Sequence, residues 1–398
     1  MTTQSMAQYK NQSMSRFMIC LTIQWLMAFA TSLSGMASTN TVYEIHSGSS
    51  VNEPQIIATE YAILILAPDS SVWGWGRNPS LLGTNETESE VALPVRQVDV
   101  GSNWVSLAAE SAFALGIKSD KSLCGWSYFH KVHGFTDKPN KLHGFSYPPV
   151  TLLPGKDWMA VAAGENHALA LRKDGKLWAW GLNSDAAVGN GTRTRQESPI
   201  QIGTNQKWIK IAAGRYISMG LQNDGSLWHW GMVYSRVRVR EGEFKTVPTR
   251  FDSRTDWHEM QANPYYCLAS RKDGSIWIWN RFVEGTNAPS PHLLDSGKDW
   301  KAYSHLLVLK KGGSLWSSGN SEFGQAGRTQ STEFKSLTLV DDQKDWVKIW
   351  AKGYTSFGLT KDGTLWTWGK RLDVKADTAT PVTKPWPLLR FVNHSQPK

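Results

Sequence analysis

The sequence predicts an all-β fold, a seven-bladed β-propeller of about 50-residue repeats, and three observations carry that prediction. The chain has 398 residues, which calls for several domains or one repetitive domain, and it contains 21 Trp, of which 18 fall at repeating positions. Trp104, Trp158, Trp208, Trp257 and Trp346 each precede a second Trp-containing motif by 20 residues. Between the two lie an Ala/Gly-rich stretch, an apolar stretch and an Asp-Gly turn, followed by Leu-Trp-x-Trp-Gly. Asp-Gly between short apolar runs is a hairpin signal, and no stretch between repeats carries a helical period.

Seven copies follow one another. The first runs through Asp69, Ser70, Ser71 and Val72 to Trp73-Gly74-Trp75-Gly76, with Glu53 where the leading Trp would stand. The second, led by Trp104, has Cys124 in place of the first Trp of its pair and keeps Trp126. The third is the clearest, with Trp158, Ala162-Ala163-Gly164, His167, Asp174-Gly175 and Trp178-Ala179-Trp180-Gly181. The fourth and fifth end in Trp228-His229-Trp230-Gly231 and Trp277-Ile278-Trp279, and the seventh in Trp366-Thr367-Trp368-Gly369. In the sixth, Trp300 and Trp316 stand 16 residues apart, and the missing residues fall between Trp300 and His305. After each pair comes a variable polar segment and then a strand led by Pro, such as Pro94-Val95-Arg96 or Pro199-Ile200-Gln201. Four short strands per unit fit a blade, with small residues near the crowded axis and large flat Trp side chains covering the sheet faces.

Residues 1–37 read differently. They hold no acidic residue, carry Lys10 and Arg16 as their only charges, and run apolar from Phe17 to Leu33 before Gly35-Met36-Ala37. That is a signal-peptide pattern with cleavage after Ala37, and Met14 would give a more compact leader. Retention as an uncleaved anchor is the alternative, weakened by Thr22, Gln24 and Thr31 within the run. The expected organisation is a signal peptide over 1–37, a short segment over 38–50 and the propeller over 51–398. The expected location is secreted or periplasmic, with no stable membrane span after cleavage.

The third copy resembles the regulator of chromosome condensation repeat, matching its pattern through Trp158, Gly164, His167, Asp174, Gly175, Trp180, Gly181, Asn183, Gly189, Gly191 and Pro199. The sixth keeps Gly319-Asn320 and the turn Gly324-Gln325-Ala326-Gly327, while Phe113, Ile217 and Tyr266 replace the repeat His elsewhere. The resemblance covers the chain from about residue 50 and is to the Trp-rich bacterial branch. It implies a non-catalytic platform whose rims bind another protein, inhibition included, as in a secreted β-lactamase-inhibiting relative of this architecture. It also implies an alternative, guanine-nucleotide exchange on a small GTPase, the activity of the eukaryotic member. A carbohydrate-binding or hydrolytic propeller is a further alternative, disfavoured because no carboxylate pair stands out.

Chemistry-bearing residues are few. His130, His133 and His143 form an irregularly spaced trio near Asp137, a weak metal candidate. His167 and His305 hold the repeat His position, which suits a buried hydrogen bond better than catalysis. No cofactor signature is present, since the Gly-rich turns open no helix. Cys124 and Cys267 lie three blades apart and are expected as unpaired buried thiols.

A basic feature stands outside the repeat. Arg236, Arg238 and Arg240 alternate in Ser-Arg-Val-Arg-Val-Arg, which as a strand puts three guanidinium groups on one face. Arg193 and Arg195 occupy the corresponding segment of the preceding blade. Together with a net charge of +9, they point to an acidic protein partner, an exported chain making nucleic acid a poor one. A charged edge strand guarding against aggregation is the simpler reading. N-terminal sequencing of the exported protein is expected to start near Ser38; residues upstream of Phe17 would overturn cleavage and compartment together.

Overall fold

The computed structural model describes residues 43–47, 54–79 except 60, 81–83, 93–110 except 100 and 102, 113–128, 145–153, 157–232 except 205–206, 244–262, 266–280, 291–304, 307–329 except 320, 337–342, 345–372 and 382–393. These form seven antiparallel sheets in sequence order, each built from four consecutive strands. The inner strands are Gln55–Ala58, Trp104–Glu110, Trp158–Ala163, Trp208–Ala213, Trp257–Ala262, Trp300–Ser304 and Trp346–Lys352. The outer strands are Leu93–Asp99, Phe145–Leu153, Gln196–Ile202, Phe244–Arg250, His292–Asp295, Thr338–Asp341 and Val382–Asn393. The predicted seven-bladed β-propeller is therefore the fold. Among the described residues no helix is long and apolar enough to cross a membrane.

The core is divided among the gaps between blades. Trp104 packs with Leu64, Leu66 and Val72 of the first blade, Trp158 with Phe113, Leu115 and Ile117 of the second, and Trp208 with Leu169 and Leu171 of the third. Trp257 and Trp346 repeat the contact against Met219 and Leu221, and against Leu307 and Leu309. Each of these five indoles is at most 2% exposed. Behind each lies a small residue twelve positions later, on the second strand. A Cβ added at Gly116, Gly220 or Gly358 would come within 2.5 Å of Trp104, 2.5 Å of Trp208 or 2.3 Å of Trp346. Ala170 and Ala269 stand there in blades three and five. In blade one Glu53 replaces the Trp and Ile65 supplies volume from the opposite strand, while in blade six Val308 takes the place and Trp300 is only half-buried. The two smallest apolar clusters, of five and six buried residues, flank blade six.

The four residues missing from the sixth repeat leave its strand register intact. Trp300 pairs Lys310 as Trp208 pairs Gln222, with the same bulge one residue on, and Tyr303–Val308 matches Ile211–Gly220. The inner strand of blade six is accordingly the shorter one, Trp300–Ser304 against Trp208–Ala213 in blade four.

Not every repeat Trp is core. Trp73, Trp178, Trp228, Trp277, Trp316 and Trp366, the first of each pair, are half-buried. Four of these indoles donate to the serine two residues earlier: Trp73 to Ser71, Trp228 to Ser226, Trp277 to Ser275 and Trp316 to Ser314, at 2.8–3.0 Å. In blades one, four and five that serine donates its N–H and Oγ–H to Oδ1 of the Asp two residues earlier, as Ser226 does to Asp224, whereas blade six has Gly312 in place of the Asp. The turn needs a left-handed residue after Asp, supplied by Gly175, Gly225, Gly274 and Gly363 at φ 81–87°. Blades one and two use Ser70 and Lys121 there, at φ 68° and 66°.

Ring closure uses both chain ends. Val382–Asn393 is the outer strand of blade seven, and Tyr43–Ser47 adds a fifth strand beside it, parallel, with Tyr43 opposite Leu389 and Ser47 opposite Asn393. Phe357, Leu359, Leu388 and Leu389 pack against Ile63, Ile65 and Trp75 of blade one. Lys352 Nζ also reaches past blade one to Glu110 Oε2 of blade two, at 2.5 Å.

Cys124 and Cys267 are buried and unpaired, as expected, and burial pushes the Cys267 thiol up to about 12. His229, between the two Trp of blade four, is buried edge-on to Phe251 at 5.4 Å. Desolvation, reinforced by the positive charge of Lys245, pulls its imidazole down from 6.5 to about 4.

Lys121→Gly is expected to raise stability by about 0.5–1 kcal/mol by relieving a left-handed non-glycine residue. Gly220→Ala should lower stability by about 1–3 kcal/mol, because its methyl enters the space of Trp208; urea titrations of both variants check the pair. His229 is neutral in both folded and unfolded chains above pH 6.5, so its contribution there is constant. As pH falls towards 4 only the unfolded chain takes the proton, so stability declines by about 3 kcal/mol from this group. Denaturation at pH 7.5 and 4.5 is expected to show a smaller acid loss in His229→Ala than in the parent.

Candidate partner-binding surface

Each blade has two ends. Asp-Gly hairpins and the entries to the inner strands share one, tied by bonds such as Trp208 N–H to Gly175 O at 3.1 Å. The turns after the inner strands and the long loops between third and outer strands share the other, tied by Leu182 N–H to Asn166 O at 2.7 Å. We refer to the second as the loop face, and Arg193 and Arg195 belong to its third-blade loop.

The third-blade loop, residues 182–195, is built around Asn183, which is fully buried. Its side-chain amide donates to Asn190 Oδ1 at 3.1 Å and Thr192 O at 2.9 Å, and its Oδ1 accepts from Val188 N–H at 3.0 Å. The loop is also locked to the next blade. Ala187 O accepts from the Trp230 indole at 2.9 Å and from Ser218 Oγ at 2.7 Å. Gly189, at φ 81°, lies so close to Trp230 that any side chain would collide with the ring at 2.6 Å. The same indole-to-loop bond recurs from Trp126 to Leu81 O and from Trp368 to Gln325 O, at 3.1 and 3.0 Å.

This scaffold carries Arg193 onto blade four. Gly191 N–H donates to Thr246 O at 2.8 Å, in the outer strand of that blade. Arg193 Nε donates to Ser184 O at 2.7 Å, and its guanidinium lies 3.8 Å from the centroid of Phe244. Arg193 is exposed and meets no carboxylate among the described residues. Arg195 is half-buried, with Nε 3.8 Å from Glu197 Oε1. Arg236, Arg238 and Arg240 lie outside the described residues, as do His130, His133, His143 and His305. What the described residues show is Arg193 of blade three lying over Phe244, the first residue of the outer strand of blade four. Phe244 was missed by sequence reasoning; its one signal is a separation from Arg193 of about one repeat length.

His167 is buried, and its Nε2 lies 2.7 Å from Ser218 Oγ of the next blade. Because Ser218 gives its proton to Ala187 O, the imidazole N–H donates to the hydroxyl. The pair is a link between blades, with the hydroxyl proton turned away from the base that would activate it.

Seven four-stranded blades, with described loops pinned to one face, define the chain as a β-propeller. Residues 160–186 and 174–221 match two models of the regulator of chromosome condensation (RCC1) repeat. Those matches identify repeats of this family within residues 160–221. The ultraviolet-B receptor UVR8 of Arabidopsis thaliana is 30% identical over 137 residues, 33% of this chain and 29% of the receptor. The E3 ubiquitin-protein ligase HERC2 of Homo sapiens is 26% identical over 144 residues, 34% of this chain and 3% of the ligase. The matched stretch thus spans less than a third of the length of either relative. The crystal structure of Kap60 bound to yeast RCC1 (Prp20) aligns with a TM-score of 0.65 at 15% identity, over 89% of this chain and 91% of that one. Human WBSCR16 aligns at 0.52 and 16% identity, over 89% and 83% of the two chains.

Proposed function

We propose that this chain is an exported, non-catalytic propeller scaffold that binds an acidic protein partner through the loop-face rim of blades three and four, inhibition being one form of that role. The observation that carries the reading is Arg193, held by its Nε and by the Phe244 ring with its terminal nitrogens directed to no carboxylate among the described residues. A guanidinium fixed on one side by an aromatic ring loses little freedom when it pairs with a carboxylate. In the sequence, Arg240 precedes Phe244 by four residues. The leader-like residues 1–37 support export, and the yeast propeller bound to Kap60 supports protein recognition as a use of this architecture.

The test begins with partners recovered by the mature protein from the native extracellular or periplasmic milieu. Changing Arg193, Arg236, Arg238 and Arg240 to Ser is expected to slow association about tenfold at low salt and to flatten its salt dependence, with the melting temperature unchanged. Equal association rates with equal salt dependence would assign the arginines to solubility alone.

A further inference from the structure

At the end of the blades opposite the loop face, six of the seven hairpins carry the same bond. Oδ1 of Asp69, Asp120, Asp174, Asp224, Asp273 or Asp362 accepts the N–H of the residue two positions on, at 2.9–3.1 Å. Where that residue is Ser71, Ser122, Ser226 or Ser275, the same oxygen also takes the hydroxyl proton, at 2.5–2.6 Å. Such a turn favours the ionised acid. Hydrogen bonds from Ser226 and Ser275 hold the carboxyls of Asp224 and Asp273 below the usual carboxylate range.

Blade six alone departs from this pattern. Its hairpin reads Lys310-Lys311-Gly312-Gly313-Ser314, so the residue two before the serine has no side chain. The turn is otherwise unchanged. Gly313 N–H donates to Lys310 O at 2.9 Å and Lys310 N–H to Ser314 O at 3.0 Å, as Gly225 does to Gln222 and Gln222 to Ser226 in blade four, both at 3.0 Å. Lys311 N–H is tied to Asp299 O at 2.7 Å, and Ser314 Oγ accepts from the Trp316 indole at 3.0 Å. Among the described residues, the N–H and hydroxyl proton of Ser314 donate to no acceptor. They keep the frame that receives a carboxylate in the other six blades. Gly312 is exposed, and a Cβ added there meets nothing within 4 Å, so the space that an aspartate side chain would cross is open. The charge of this end of blade six also suits an anion, with Lys298, Lys301, Lys310 and Lys311 standing against Asp299, Asp341 and Asp342. Asp299 pairs with Lys310 at 3.3 Å, whereas the Lys311 ammonium donates to Lys298 O at 3.0 Å and, among the described residues, meets no carboxylate.

We propose that the hairpin of blade six is a binding site for the carboxylate of an aspartate side chain on another protein chain, one oxygen of which accepts from both Ser314 N–H and Ser314 Oγ–H. It would do there what six aspartates of this chain do in their own turns. The bonds are charge-assisted, and the donors are held in place beforehand by the turn and by Trp316, so little ordering is required on binding. An oxygen on a short methylene arm is what these turns accommodate, which favours an aspartate over a bare inorganic anion. This site is at the opposite end of the blades from Arg193 and stands independently of the role given to it.

The test uses the purified protein with isotope-labelled serine, read by amide nitrogen–proton correlation NMR, the Ser314 signal being identified by its loss in Ser314→Ala. On titration with N-acetyl-aspartate methylamide that signal is expected to shift and saturate, while the matching asparagine compound leaves it in place. Gly312→Asp supplies the carboxylate from within the turn, at a position whose backbone is not left-handed. That variant is expected to hold the Ser314 signal where saturating ligand moves it and to weaken ligand binding about tenfold. It should also melt above Gly312→Ala, which restricts the backbone in the same way without a carboxylate. Arg193→Ser is expected to leave the titration unchanged. A Ser314 signal unmoved by the aspartate compound, or a Gly312→Asp protein that melts no higher than Gly312→Ala, would overturn the proposal. Saturation at a lower concentration of inorganic phosphate than of the aspartate compound would overturn the choice of a carboxylate.

Discussion

The ring depends on one contact repeated around it: an indole at the head of an inner strand, pressed against a residue with almost no side chain on the next strand. Trp208 and Gly220 show why. The indole must lie flat in the gap between blades three and four, reaching Leu169 and Leu171, and only a missing side chain at 220 lets it do so. Burial of an aromatic of this size is among the largest single apolar contributions a fold can draw on. The volume is conserved even where the residues are not. Ile65 in blade one and Val308 in blade six stand on the second strand where the other blades have Gly or Ala, and Trp300 is only half-buried. Where the exchange is least complete, beside blade six, the apolar clusters are smallest.

Because each blade buries its face on its neighbour, the loops inherit a fixed frame. In three blades the second Trp position, Trp126, Trp230 or Trp368, is fully buried and donates its indole N–H to a carbonyl of the preceding blade's loop. A buried indole N–H without an acceptor is costly, so the bond holds the loop as firmly as it satisfies the ring. One motif therefore both builds the core and aims the surface: Arg193 stands where it does because a tryptophan of the next blade holds the backbone beneath it.

Closure combines weak and strong elements. The blades are local in sequence: four consecutive strands make each one, and among the described residues only blade seven takes a further strand, Tyr43–Ser47, from the other end of the chain. The ends meet instead through apolar packing between blades seven and one, the parallel pairing of Tyr43–Ser47 with Val382–Asn393, and the Lys352–Glu110 ion pair across blade one. The ion pair is largely shielded from water, which strengthens the attraction but leaves either partner expensive to bury alone.

The sequence by itself determined the blade count, the strand order and the turn chemistry, because these are written in short-range terms: Trp at a spacing of 20, Asp followed by Gly, and alternating small and large apolar residues. It also placed His167 and the two cysteines in the interior, since their positions coincide with repeat positions whose burial is periodic. It drew Arg193 and its neighbours towards blade four by analogy between blades, without the aromatic platform that receives them. Tertiary structure alone decided what depends on which side chains meet in the gaps and on the faces of the blades and on which strands lie edge to edge. That set includes Phe244 beneath Arg193, the pairing of Gly220 with Trp208 across a filled gap, the half-exposure of Trp228 and its equivalents, and the parallel strand that flanks blade seven. Periodicity identifies which residues share a role, but contact between blades is set by the three-dimensional packing of side chains whose volumes compensate one another, and no spacing along one strand records that.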